Sequence, residues 1–202
     1  MMESLVNAVV QVVIFLAIPF VWWFFSARKE HSFLAWVGLK KPIIENKRNY
    51  YGIFLVTIVL LVVPINTIIY YFVDSSLLAS NRFTDLGISA MIPALIYGIL
   101  QTGLSEELFF RGFLTKRLIN KFGFYQGNII QSLVFGIIHG FMFFSSTHVI
   151  GVLLIVIATS VAGYLMGWIN EKKSNGSIIS SWMIHSIANI TAAFMAMFNI
   201  FY

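Results

Sequence analysis

From Leu5 to Ala27 the chain carries no acidic or basic residue, and the same holds from Tyr50 to Val73 and from Leu86 to Ser105. Each run is near the ~20 apolar residues an α-helix needs to cross a bilayer's hydrocarbon core. Within lipid a segment must satisfy its own backbone hydrogen bonds, so such runs fold as helices. The remainder does not revert to a soluble composition: 59% of the residues are hydrophobic, 10% are charged, and the mean hydropathy is +0.87. The sequence predicts an integral membrane protein of the all-α class.

After the charged stretch Glu106 to Lys121, three more weakly charged segments follow: Asn128 to Phe144, Val149 to Asn170 and Ser177 to Tyr202. The expected architecture is a polytopic transmembrane helical bundle of about six spans with a buried polar site. Residues 1–85 form two N-terminal transmembrane helices with a basic cytoplasmic loop, and residues 86–202 form the helical core that carries the chemistry. The first connection sets Arg28, Lys29, Lys40, Lys41, Lys47 and Arg48 against Glu30 and Glu45. Its Phe33, Leu34, Trp36 and Leu39 suggest an amphipathic segment lying along the membrane interface.

Lys116, Arg117 and Lys121, then Lys172 and Lys173, make the third and fifth connections basic as well, whereas the second has Arg82 alone. Basic connections face the cytoplasm, which places both termini outside it, in what the reading takes as a bacterial plasma membrane. Trp22, Trp23 and Trp36 read as lipid anchors, and Gly163 with Gly167 as a small-residue pair for packing within the chain. The absence of Cys excludes disulfides, thiolate metal sites and a cysteine nucleophile. Because the bases are placed where topology requires them, no nucleic-acid partner is expected.

Three polar clusters interrupt this apolar background. An ionisable side chain at the bilayer centre costs about 2.5–3.5 kcal/mol on insertion scales, so each invites a functional reading. Glu106 and Glu107 point about 100° apart on a helix, whereas Glu107 and Arg111 share a face. Glu107 is thus placed to neutralise Arg111 and Glu106 is left for another partner, with the roles exchanged if the helix is rotated. His139 shares a face with Phe135, whose ring packs to fix the imidazole. His185 and Asn189 stack one turn apart and present donors to one point, as an oxyanion requires. Taken singly, a salt bridge and interhelical hydrogen bonds would explain each cluster.

Glu106-Glu107-x-x-x-Arg111, Phe135-x-x-x-His139 and His185-x-x-x-Asn189, in that order, resemble the three motifs of the CPBP family, the CAAX proteases and bacteriocin-processing enzymes also called Abi proteins. The resemblance covers Leu86 to Tyr202. It implies an intramembrane endopeptidase in which Glu106 and His139 activate water, His185 and Asn189 hold the oxyanion, and Glu107 and Arg111 support the site. Implied partners are a peptide or membrane-protein substrate and the bilayer, with roles in bacteriocin or pheromone processing or self-immunity, and the oligomeric state is left open. No cofactor is expected, although zinc held by Glu106, His139 and His185 is the alternative. A non-catalytic membrane scaffold or immunity protein and a proton-coupled transporter are the competing functions.

Overall fold

Among residues 1–200, which the computed structural model describes, six long helices carry the fold: α1 (Met2–Ser26), α2 (Lys47–Phe72), α3 (Gly87–Phe122), α4 (Phe124–Met142), α5 (Val149–Lys173) and α6 (Ile179–Met197). Tyr202, the expected end of the last span, lies outside the described residues. By length and composition α1, α2, α3 and α5 are able to cross a membrane. The expectation of about six apolar spans needs this refinement: α4 and α6 have 19 residues each but are not among those four. They turn polar faces inward. In α4 the buried residues Asn128, Gln131, Ser132, Phe135, Gly136 and Gly140 form one helical stripe, and in α6 Ser181, Ile184 and His185 lie buried.

The charged stretch that begins at Glu106 does not end the third helix. α3 runs 36 residues, roughly 50 Å at α-helical rise and well beyond a ~30 Å hydrocarbon core. Two π-helical stretches, Tyr97–Leu104 and Leu108–Thr115, flank a single α-helical turn at Ser105–Glu107. Hydroxyls in and beside these stretches bond back to carbonyls, Thr102 Oγ1 to Tyr97 O at 3.0 Å and Thr115 Oγ1 to Phe110 O at 2.8 Å, both five residues back. A Cβ on Gly103 would lie 2.5 Å from Gly98 O and 2.7 Å from Ser186 Oγ, so the glycine lets the carbonyl five residues back and helix α6 both come close. α3 passes into α4 through Gly123 alone, whose φ of +79° favours glycine.

The remaining packing brings α4 and α5 into close contact. A Cβ on Gly163 would meet Ser132 Cα at 3.3 Å and Arg111 Nη2 at 3.4 Å, so the small-residue pair of α5 is used inside the chain. α2 begins at an Asn46 cap, whose Oδ1 accepts from Asn49 N at 3.0 Å. Asp74 N donates to Ser146 O at 2.9 Å and Val73 pairs with Thr147, which ties the second connection to the fourth.

The first connection does not lie flat on the interface. A short helical turn, Phe33–Trp36, directs Trp36 and Val37 into a cluster with Leu108, Phe113 and Ile178. Ile178 N donates to Gly38 O at 2.9 Å, Ser177 Oγ to Lys40 O at 2.5 Å, and Lys116 Nζ to Gly176 O at 2.8 Å. Trp36 is therefore a packing residue rather than a lipid anchor, while Trp22 remains exposed. The apolar residues of this segment find protein surface between α3 and the α5–α6 turn, which excludes water as well as lipid would.

Candidate functional site

The turn at Ser105–Glu107 sends its two carboxylates to different surroundings. Glu107 is fully buried, and its Oε1 accepts from Arg111 Nη1 at 2.9 Å and from His185 Nδ1 at 2.9 Å. Arg111, also fully buried, lies with its guanidinium carbon 4.0 Å from the centroid of the Phe135 ring. A buried charge persists only when paired, and the Glu107–Arg111 pair lets both sit among Phe110, Phe135 and Gly163. The interaction with His185 adds the orienting carboxylate seen where an imidazole must hold one tautomer.

Glu106 looks the other way. Its Oε2 stands 3.8 Å from His139 Nε2 and 3.8 Å from His185 Nε2, beyond direct hydrogen-bond reach, and makes no hydrogen bond with the protein. Both imidazoles are turned by their other nitrogen. His139 Nδ1 donates to Phe135 O at 2.8 Å and His185 Nδ1 donates to Glu107 Oε1 at 2.9 Å. With Nδ1 committed in each ring, Nε2 is the nitrogen that can exchange protons or accept a bond at the site. Phe135 fixes the pair sterically, its ring centroid 4.2 Å from that of His139 and 6.0 Å, edge-on, from that of His185.

Asn189 completes the wall. Its Nδ2 is buried and has no hydrogen-bond partner, an arrangement that costs about 1–3 kcal/mol unless something else uses the donor. Glu106, Phe135, His139, His185 and Asn189 all border one cavity of about 320 Å³ enclosed by α2, α3, α5 and α6. The lining reaches Leu78, Ser80 and Arg82 of the second connection and includes no residue of the three basic connections. The structure thus gathers all seven residues singled out in the sequence, five at the cavity and two, Glu107 and Arg111, behind it.

As placed, the trio Glu106, His139 and His185 does not fit zinc. Among the described residues no group of three His, Asp or Glu side chains is disposed to hold a metal ion. The 3.8 Å separations also exceed the ~3.4 Å edge of a tetrahedron with ~2.05 Å bonds.

Sequence reasoning missed a second polar chain beside the cavity. Arg82 Nη2 donates to Gln101 Oε1 at 3.0 Å, and Gln101 Nε2 to Gln11 Oε1 at 3.2 Å. Gln11, isolated in an apolar helix, was the available signal. His31 and His148, taken as bystanders, do not border the cavity.

A family model described as type II CAAX prenyl endopeptidase Rce1-like matches residues 88–191, half of the chain and all seven of these residues. None of the curated proteins and none of the solved structures matches.

Proposed function

We propose that this chain, which belongs to the Rce1-like type II CAAX prenyl endopeptidase family and is thereby a membrane peptidase, hydrolyses peptide bonds with a water activated by Glu106 and His139. The observation that carries the reading is the position of Glu106 Oε2, 3.8 Å from two imidazole nitrogens and bordering a cavity with the unpartnered Asn189 amide. A water within ~2.8 Å of the carboxylate oxygen and of His139 Nε2 bridges such a gap without moving either. Glu106 takes one of its protons and His139 Nε2 accepts a hydrogen bond from the other. The hydroxide oxygen bonds to the scissile carbonyl carbon. The resulting oxyanion accepts from Asn189 Nδ2–H and from the proton carried on His185 Nε2. Collapse breaks the carbon–nitrogen bond, and the amine leaves with the proton held by Glu106. Glu107 holds the His185 ring through Nδ1, and Arg111 holds Glu107.

The cavity's lining, which runs toward the second connection, favours a peptide that enters from the membrane plane or from the face opposite the basic connections. The excess of Lys and Arg in those connections supports placing them in the cytoplasm. Small membrane-associated peptides such as bacteriocin or pheromone precursors, or self-immunity, fit a cavity of about 320 Å³. The support for that substrate class is the motif resemblance.

The test is cleavage of a peptide set by the purified chain in detergent, with wild type and Glu106→Gln compared with and without a chelator. Activity lost in the variant and kept with chelator is expected. Turnover by folded Glu106→Gln would overturn the mechanism, and loss on chelation would make the trio a metal site. A folded wild type that cleaves nothing, yet confers protection on cells that survives Glu106→Gln, would identify a scaffold.

A further inference from the structure

At the opposite side of the bundle from the cavity, two concave surfaces adjoin. One is a groove of about 520 Å³ on α1, walled by Ala17, Ile18, Val21, Trp22 and Phe25 and almost wholly apolar. The other is a pocket of about 620 Å³ between the end of α1, the first connection and the end of α3, and its wall includes Lys40, Lys116 and Arg117. Trp22 and Ser26 belong to both, so apolar groove and cationic pocket meet without a partition.

The cations are not equivalent. Lys116 is occupied, its Nζ 2.8 Å from Glu171 Oε1 and 2.8 Å from Gly176 O. Lys40 makes no ion pair among the described residues, though Glu30 shares the pocket. Arg117 lies over the Trp36 ring at 4.0 Å, and its Nε is buried without a hydrogen-bond partner. A buried, charged donor held flat on an indole and left unpaired is suited to acceptor oxygens on a planar or tetrahedral anion. The groove beside it removes apolar chain from nothing but lipid, so the molecule that satisfies both halves is amphipathic.

We propose that this paired surface binds an anionic phospholipid, its phosphate at Arg117 and Lys40 and an acyl chain along the α1 groove. The basic end of the bundle is the end that meets acidic headgroups in the cytoplasmic leaflet, which supplies the ligand where the pocket opens. Because Arg117 and Trp36 also seat the first connection against α3, the bound lipid fastens that connection.

The full chain in phosphatidylcholine nanodiscs provides the test, with the thermal unfolding midpoint followed as phosphatidylglycerol replaces phosphatidylcholine. A saturable rise is expected. Arg117→Gln combined with Lys40→Gln should weaken half-saturation about ten-fold, the loss expected for one charge-assisted hydrogen bond. Lys172→Gln with Lys173→Gln, which removes equal charge from the same end, should leave it unchanged. Ala17→Trp, which fills the groove and touches no charge, should weaken it as the first pair does. Inorganic phosphate in pure phosphatidylcholine should give no rise. Equal weakening by both charge pairs would reduce the effect to surface charge, and a full rise with phosphate alone would make it a free-anion site. Either result overturns the proposal, as does the absence of saturation. If the Arg117 variant does not fold, the Ala17→Trp arm decides.

Discussion

Glu106 and Glu107 are neighbours in α3, yet Glu107 is fully buried against Arg111 and His185 while Glu106, 15% exposed, borders the cavity with an unbonded Oε2. Chemistry and structural support are thereby divided between two identical side chains. The division predicts opposite phenotypes. Glu106→Gln keeps the unfolding midpoint and loses peptide cleavage. Glu107→Ala strands the Arg111 charge, an effect worth about 3–5 kcal/mol in buried pairs, and lowers the unfolding midpoint in detergent by an amount far above that of Glu106→Gln. Equal destabilisation by both would contradict the division.

Asn189→Ala removes a donor that the protein itself does not use, so stability should hold or rise slightly. The cleavage rate should fall by about 10²–10³, as for loss of one oxyanion donor, with KM little changed. A variant whose KM rises while kcat stays at the wild-type value would place Asn189 in substrate binding instead.

Phe135 touches three functional groups at once: the Arg111 guanidinium at 4.0 Å, the His139 ring at 4.2 Å and the His185 ring at 6.0 Å. Phe135→Leu keeps an apolar side chain of similar reach but loses the ring face over Arg111, worth about 0.5–2 kcal/mol. Both the unfolding midpoint and kcat should drop, whereas a midpoint loss with wild-type kcat would limit the ring to packing.

Gly136 lies where α4 crosses α5. A Cβ there would sit 2.0 Å from Ser160 Oγ and 2.6 Å from Val156 O, and the second is backbone that cannot rotate away. Gly136→Ala should cost about 1–3 kcal/mol through overpacking and should reduce cleavage by shifting His139 less than one turn downstream. The double variant Gly136→Ala, Ser160→Gly should recover only part of the stability, because the carbonyl clash remains.

The stripe of α4 was legible: Asn128, Gln131, Ser132, Phe135, Gly136, His139 and Gly140 recur at helical spacing, and six of the seven are buried on that face. The three motifs were legible for a related reason, since ionisable residues stand out against uncharged apolar runs. Two things were not. Helical-wheel arithmetic at about 100° per residue loses its register on either side of Ser105–Glu107 because π stretches border that turn, so the sequence could rank Glu106 and Glu107 but not orient them. An amphipathic pattern also states that a surface needs apolar cover without saying whether lipid or protein provides it. Trp36 and Val37 found protein.

The π stretches of α3 also make residue number, rather than residue type, the variable that aims the site. A π stretch is an α-helix carrying extra residues within its existing turns, so the segment Tyr97–Leu104 can give one up by tightening, without breaking the helix. Such a deletion would turn everything after it by about 100°, enough to swing Glu106 from the cavity and bring its neighbour round. The helix is thus indexed like a dial, and a single codon lost far from any charged side chain would be read out as an exchange of phenotype between the Gln variants of Glu106 and Glu107.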